Sequence, residues 1–230
     1  MVSWWGKLIF WFARGNLWFW AKVLLRLRVE GADNIPRSGK LLVASNHVSH
    51  LDPPLVGLGV PRIVFHMAKK ELFVVKPLMW LMQTIGTIMV DRGQGTQALE
   101  DAVEYLDHGG CIIIFPEGTR SPNGVLSRGR SGAVVIALRS GCPLIPAVIM
   151  GSEKAMTKGS KFIKPVQVTV RFGQPYTIDY AGDRQEIPRD VIRKETYVLM
   201  EKIEELLPAH MCPTPEQKAI WYKELYSAAD

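Results

Sequence analysis

The chain has 230 residues, 47% hydrophobic and 22% charged, which excludes an intrinsically disordered protein and suffices for one large α/β domain or at most two small ones. The formal net charge of +6 favours a negatively charged partner such as nucleic acid, an anionic membrane surface or a phosphorylated substrate. The three cysteines lie far apart without paired metal-site spacing, which predicts reduced thiols in a cytosolic compartment, with neither a metal nor a structural disulfide.

The first 28 residues are rich in aromatic and basic side chains. Five of the seven tryptophans fall here: Trp4, Trp5, Trp11, Trp18 and Trp20. A spanning helix needs about 20 mostly apolar residues, and Arg14-Gly15-Asn16 interrupts any such run. Trp together with Lys and Arg is typical of the headgroup level of a bilayer. We predict a two-helix interfacial membrane motif, at 3–13 and 17–28, lying in one leaflet. A helix pair packed on the protein's own core and a spanning helix are the alternatives.

From residue 29 to residue 230, short apolar runs alternate with amphipathic stretches. Strands are predicted at 41–45, 62–67, 87–90, 111–115, 144–150 and 166–172. Helices are predicted at 53–59, 77–84, 96–107, 131–139, 187–207 and 215–228. This alternation predicts an α/β fold: a single domain, residues 29–230, with a mixed, largely parallel central sheet flanked by helices. The last strand alternates polar and apolar residues, which is typical of an edge strand.

A first group of polar residues follows the predicted strand at 41–45. His47 lies on the connection to the next helix, where α/β proteins place their chemistry. Asp52 follows five positions later, close enough for its carboxylate to fold back onto the imidazole. Such a pair orients a neutral His and stabilises its protonated form, as a general base requires. In the alternative, Asp52 precedes Pro53 merely as a helix N-cap; we expect Asp52 to do both.

A second group of polar residues follows the predicted strand at 111–115, with the sequence Pro116-Glu117-Gly118-Thr119-Arg120-Ser121. Gly118 allows the backbone to approach a ligand closely, and Arg120 offers a planar fork that matches a phosphate. Arg128 and Arg130 keep the loop basic. A solvated surface turn is the alternative.

In this order, Asn46-His47-x-Ser49-x-x-Asp52 and Phe115-Pro116-Glu117-Gly118-Thr119-Arg120-Ser121 resemble the motifs of the glycerolipid acyltransferase family, and within it those of the bacterial 1-acyl-sn-glycerol-3-phosphate acyltransferases. The resemblance covers most of residues 29–175. Weaker family blocks are matched at 68–72, 86–92 and 144–148. Many members continue with a Lys-rich Phe-Lys-x-Gly stretch, which is replaced here by an Arg-containing segment, 126–132.

The resemblance implies that a fatty acyl group passes from acyl-CoA or acyl carrier protein to the hydroxyl of lysophosphatidic acid, giving phosphatidic acid without a further cofactor. His47 would be the general base and Asp52 would hold its tautomer. The substrate-binding residues would be Lys69, Arg92, Glu117, Gly118, Thr119 and Arg120. The carboxylate of Glu117 and the hydroxyl of Thr119 would orient the glycerol. The three cations among these residues would neutralise the phosphate.

A membrane-resident substrate also fits the aromatic N-terminus, since interfacial helices hold a site at the bilayer surface without spanning it. We therefore expect a monotopic or peripheral protein at the cytoplasmic face of the cell inner membrane, attracted to anionic lipid. Within the enzyme class, glycerol 3-phosphate, a lysophospholipid with a headgroup and a lyso-amino-acid lipid remain alternative acceptors.

Two further residues and three other functions complete the alternatives. Ser49 lacks the Gly-x-Ser-x-Gly elbow of a nucleophile, and His50 is a rival base with the wrong spacing to Asp52.

Residues 93–98 mimic a dinucleotide fingerprint, but a charged pair separates them from the strand. A non-enzymatic, basic membrane-binding protein would explain the charge but not His47, Asp52 and residues 117–120 together. Nucleic acid is not expected as a partner, because the aromatic residues form no base-stacking platform.

Overall fold

The structure, a computed structural model, describes residues 4–69, 87–90, 95–156 and 163–226. Within these residues the strands are β1 (Arg28–Glu30), β2 (Leu41–Ser45), β3 (Phe65–Lys69), β4 (Thr87–Val90), β5 (Cys111–Ile114), β6 (Leu144–Met150) and β7 (Thr169–Phe172). The α-helices are α1 (Trp4–Leu25), α2 (Asp52–Gly59), α3 (Gly95–Asp107), α4 (Gly132–Ser140), α5 (Ser152–Ala155), α6 (Arg189–Glu204) and α7 (Pro215–Tyr226). Short 3-10 helices lie at Ala32–Asn34 and Ala209–Met211. The predicted helix at 77–84 lies outside the described residues.

All seven described strands belong to one sheet, in the order β1-β7-β6-β2-β5-β3-β4. The five strands from β6 to β4 run parallel. Strand β7 is antiparallel to β6, and β1 is parallel to β7. The prediction of a mixed, largely parallel sheet is confirmed. Because parallel strands share a direction, the carboxyl ends of β3, β5, β2 and β6 meet at one edge of the sheet.

The centre of the sheet is apolar on both faces. All five residues of β2 are buried, and so are the first three of β5 and the first six of β6. Helix α4 packs against α3 and α6 and covers one of these faces. A fully buried Leu or Ile contributes roughly 1.5–3 kcal/mol relative to an exposed one. The core therefore fixes the strands that carry the two polar groups.

Three predicted strands, β2, β4 and β6, have the predicted bounds. Helices α3 and α4 are followed by glycines with left-handed backbones, Gly109 (φ 80°) and Gly141 (φ 61°). The strand predicted from residue 62 begins at Phe65 instead, because the Arg62 guanidinium donates to the carbonyls of Pro36 and Gly109 and so holds a turn. The prediction that β7 lies at an edge is wrong, since the three-residue β1, which the sequence pattern did not reveal, pairs with its outer side.

The prediction of two N-terminal helices is also wrong, because α1 continues through Gly15 and Asn16 as one helix of 22 residues. The amide of Asn16 donates to the carbonyl of Phe12 one turn earlier and so stays within the helical pattern. A glycine inside a helix costs only about 1 kcal/mol, which does not suffice to break it. No helix in the described part of the chain has the length and apolarity needed to cross a membrane.

From Trp11 onward, where its side chains are described, helix α1 contacts the domain along one side. Ala21 and Leu25 are buried, and the Arg14 guanidinium donates to the carbonyls of Gly57 and Leu58 at 2.8 and 2.6 Å, at the end of α2. Burial lowers the pKa of Arg14. Large apolar side chains on the rest of the helix remain exposed: Trp11, Phe12, Leu17, Trp18, Phe19, Trp20, Val23 and Leu24. Arg28 already belongs to β1, so the sheet begins one residue before the predicted boundary at 28/29.

Candidate active site

His47 and Asp52 meet directly, as their spacing predicts. The imidazole Nδ1 lies 2.8 Å from Oδ2 of Asp52, whose side chain is fully buried, while the His47 side chain is 17% exposed. A carboxylate can only accept, so the neutral ring carries its proton on Nδ1. Nε2 is then the ring nitrogen that remains to take a proton from a substrate.

The Asp52 carboxylate is held from three further directions. Oδ2 accepts the backbone N–H groups of Val48 and Ser49 at 2.6 and 2.7 Å, and Oδ1 accepts the Ser152 hydroxyl at 2.5 Å. These donors fix the carboxylate and compensate for its removal from water. Asp52 is thus locked in place as the group that orients the imidazole.

The prediction that Asp52 also caps helix α2 is wrong. Leu51 occupies the cap position without a side-chain cap, and Asp52 is the first helical residue. The reason is geometric, because the carboxylate that turns back to the N–H groups of Val48 and Ser49 cannot also reach forward to the first turn of the helix.

Glu117 ties the His47 loop to the second loop. Its side chain is 3% exposed. Oε1 accepts the His47 N–H at 2.7 Å and Oε2 accepts the Ser127 N–H at 2.8 Å. Burial raises the pKa of Glu117, and these two N–H donors act in the opposite direction. The structure thereby gives Glu117 a positioning role that the sequence did not suggest, while its contact with the glycerol stays a prediction.

The backbone around His47 is fixed by three adjacent strands. The ring stacks on Phe115, which follows β5, with centroids 4.3 Å apart. The His47 carbonyl accepts the Ser121 N–H at 2.8 Å. The buried amide of Asn46 pairs with both the N–H and the carbonyl of Ile149 in β6. His47 therefore has little freedom to leave Asp52.

The loop after β5 brings the remaining predicted residues to this edge. Gly118 has φ +69°, and a Cβ there would lie 2.7 Å from Cδ and Nε of Arg130, so only glycine lets that side chain cross the loop. Thr119 and Glu117 line a cleft of about 930 Å³. Arg120 is half-buried and lies on the side of the histidines. The pKa of His50 is lowered first by the partial burial of His50 itself and then by the positive charge of Arg120.

The other two predicted cations are placed less completely. Lys69 is the last residue of β3, at the edge that carries the other polar groups, with its backbone paired to Val90. Arg92 lies outside the described residues. Among the residues that the structure describes, no group of three or more His, Cys, Asp and Glu side chains could hold a metal ion.

A protein-family model described as Acyltransferase matches residues 26–150, more than half of the chain. The chain belongs to the acyltransferase family. The match includes both polar groups and every described strand except β7.

Relatives of this acyltransferase bear specific names. A protein of Bacillus subtilis named 1-acyl-sn-glycerol-3-phosphate acyltransferase is 31% identical over 80% of this chain and 92% of its own length. A chloroplast protein of the same name from Arabidopsis thaliana is 32% identical over 63% of this chain. This chain spans 42% and 44% of the lengths of the plant proteins from Arabidopsis thaliana and Brassica napus.

A solved structure has the same fold. The 1-acyl-sn-glycerophosphate acyltransferase from Thermotoga maritima superimposes with a TM-score of 0.68 at 28% sequence identity, covering 87% of this chain and 79% of the other. This likeness extends beyond the residues matched by the family model.

Sequence reasoning missed one side chain of the candidate site, Ser152. It lies one hundred residues from Asp52, at the start of the short helix α5. The available signal was its place just after the predicted strand at 144–150. Because β6 lies beside β2 in a parallel sheet, the residues that follow these two strands are neighbours.

Proposed function

We propose that this acyltransferase transfers a fatty acyl group from an acyl thioester to the free hydroxyl of 1-acyl-sn-glycerol 3-phosphate, giving phosphatidic acid. The observation that carries the proposal is the buried, fourfold-bonded Asp52 on Nδ1 of His47, beside a loop that carries a phosphate-compatible Arg120. The names of the Bacillus subtilis and Arabidopsis thaliana relatives support this acceptor.

The reaction proceeds by direct transfer. Nε2 of His47 removes the proton of the glycerol hydroxyl as its oxygen attacks the thioester carbonyl carbon. The new C–O bond forms, the C–S bond breaks, and the thiolate takes the proton back from the imidazolium. Asp52 stabilises the transient imidazolium through Nδ1 at 2.8 Å. The histidine is thereby restored without a covalent acyl-enzyme.

Binding of the acceptor uses the loop after β5. The half-buried guanidinium of Arg120 neutralises the phosphate, with Lys69 and Arg92 as additional cations. Gly118 and Thr119 lie beside the glycerol, where Thr119 can donate a hydrogen bond. Glu117 acts mainly by holding the His47 backbone at 2.7 Å.

Helix α1 brings the site to its lipid substrates. Its exposed aromatic residues enter the interfacial layer, and basic side chains lie over two of the rings, Arg14 at 5.5 Å from the Trp11 ring and Lys22 at 4.8 Å from the Trp18 ring. Basic residues near an anionic surface contribute about 1 kcal/mol each. We infer a monotopic protein at the cytoplasmic face of the cell inner membrane.

The proposal is tested with the purified full chain, labelled acyl-CoA or acyl carrier protein thioester, and a panel of lysolipids. We expect labelled phosphatidic acid as the main product. His47→Gln should lower kcat by about 10²–10⁴-fold, the usual contribution of a general base, while the neighbouring His50→Gln stays near wild type. Near-normal turnover by His47→Gln would overturn the base assignment. Acylation of another lysolipid without acylation of lysophosphatidic acid would overturn the proposed acceptor.

A further inference from the structure

The cleft of about 930 Å³ lies beside the His47 loop, to which its lining residue Glu117 is bonded, and His47 itself does not line it. One wall is the loop between β5 and α4, and the other is formed by helices α6 and α7. Gly129 lets the two walls meet, since a Cβ there would lie 2.6 Å from Met200 of α6. The opening therefore begins at Glu117 and Thr119 and runs towards the C-terminal helices.

The lining of the cleft is strongly basic. Arg128 and Arg130 come from the loop, and Arg193 comes from α6. In the part of the chain that the structure describes, neither Arg130 nor Arg193 forms an ion pair with a carboxylate. Glu117 is the one acidic residue of the lining, and both of its oxygens already accept backbone N–H groups. The cleft thus has a net positive charge for an anionic ligand.

This positive charge is separate from Arg120, which does not line the cleft and lies on the histidine side, where it acts on the pKa of His50. The proposed reaction has two anionic substrates, a lipid phosphate and an acyl donor. If Arg120 neutralises the lipid phosphate, the arginines of the cleft are left for the phosphates of the donor. The segment 126–132, which stands in place of the Lys-rich family stretch, supplies six of the lining residues, 126–131.

We propose that the cleft binds the nucleotide end of an acyl-CoA donor, an inference that rests on the proposed function. Arg130 and Arg193 would hold its phosphates, and the indole of Trp221 on α7 offers a ring against which adenine can stack. The volume falls within the roughly 300–1,000 Å³ of small-molecule sites. A recessed cleft suits a nucleotide better than the broad surface of a carrier protein. In this arrangement, the thioester arm would extend from the cleft past Thr119 towards His47.

The test is equilibrium binding of free coenzyme A to the full chain in detergent micelles, measured by calorimetry. Arg193→Gln should weaken coenzyme A binding about tenfold, as expected for one charge-assisted hydrogen bond, and Arg193→Lys should restore part of it. Arg189→Gln, an exposed residue at the start of the same helix that does not line the cleft, is the matched control and should bind like wild type. Pantetheine, which lacks the nucleotide, should bind wild type and Arg193→Gln equally.

Kinetics separate this inference from the proposed function. Arg193→Gln should raise the KM for acyl-CoA about tenfold and leave the KM for lysophosphatidic acid and the kcat unchanged. Three outcomes would each overturn the proposal. The first is a rise in the acceptor KM alone, and the second is equal coenzyme A binding by Arg193→Gln and Arg189→Gln. The third is tight use of acyl carrier protein thioester with no coenzyme A binding. If coenzyme A binding depends on Arg193 but no lysolipid is acylated, the nucleotide site stands and the proposed function fails.

Discussion

Asp52→Asn tests whether the charge of Asp52, as distinct from its shape, supports catalysis. The asparagine oxygen can replace Oδ2 and still accept from Val48, Ser49 and the His47 ring, while its amide faces the Ser152 hydroxyl, which can accept. The variant therefore keeps the loop and the tautomer of His47. What it removes is the negative charge 2.8 Å from the imidazolium that forms during proton transfer.

The size of the effect follows from that one contact. A hydrogen bond to a charged partner contributes about 1.5–3 kcal/mol, and each 1.36 kcal/mol corresponds to about tenfold in rate. We expect kcat to fall about 10- to 150-fold, with both KM values near wild type. The assay is transfer of a labelled acyl group to lysophosphatidic acid at saturating substrates, accompanied by a thermal unfolding curve.

Ser152→Ala is the matched control, because it removes the one described donor to the other oxygen of the same carboxylate. It should lower the free energy of unfolding by about 1–3 kcal/mol but reduce kcat by no more than about threefold, since Oδ2 still holds His47. If Asp52→Asn keeps full kcat, or if Ser152→Ala loses as much activity as Asp52→Asn, the charge of Asp52 does not act through the imidazole and the reasoning fails.

Three other predictions concern Glu117, Arg14 and His66, the second residue of β3. Glu117→Gln places an amide donor against one of the two backbone N–H groups that the carboxylate accepts, so the free energy of unfolding should fall by about 2–3 kcal/mol. Chemical denaturation measures this change, and an unchanged midpoint would contradict the positioning role of Glu117. Arg14→Gln loses bonds to two carbonyls and should increase hydrogen exchange in α1 but not in the sheet; equal protection would refute the contact. Burial lowers the pKa of His66 from 6.5 to about 4, so the folded chain binds fewer protons than the unfolded chain between these values. The free energy of unfolding should therefore fall by about 3 kcal/mol as the pH drops through that window. His66→Leu should remove that slope, and a slope equal to wild type would exclude His66 as its origin.

The central part of the fold could be predicted from the sequence because its signals are local. The apolar runs of β2 and β6 are bounded by turn residues, so their limits were predicted correctly. The pairing of His47 with Asp52 was also predictable, since five residues of loop suffice to bring them together. These features depend on neighbours in the chain, which composition and spacing report well.

The features that could not be predicted depend on contacts between distant segments. Strand β1 has three residues, too few for a pattern, and it exists because β7 offers a free edge. Ser152 reaches Asp52 only through the order of the strands in the sheet. Glycine and asparagine in α1 suggested a break, but a docked helix tolerates them when its neighbouring Arg14 is held by α2. In each case a tertiary contact outweighed the local preference.

Helix α2 has a consequence for the distance between lipid and chemistry. It has eight residues and is therefore about 12 Å long. At one end of α2, the Arg14 guanidinium donates to the carbonyls of Gly57 and Leu58. At the other end, Asp52 is the first residue of the helix. With α1 embedded as proposed, this short helix fixes the separation between α1, bonded at one end, and the His47 loop, bonded at the other. A lysolipid hydroxyl also lies at a fixed depth, so lengthening or shortening α2 by one turn would move the base about 5 Å out of register with the hydroxyl it must deprotonate.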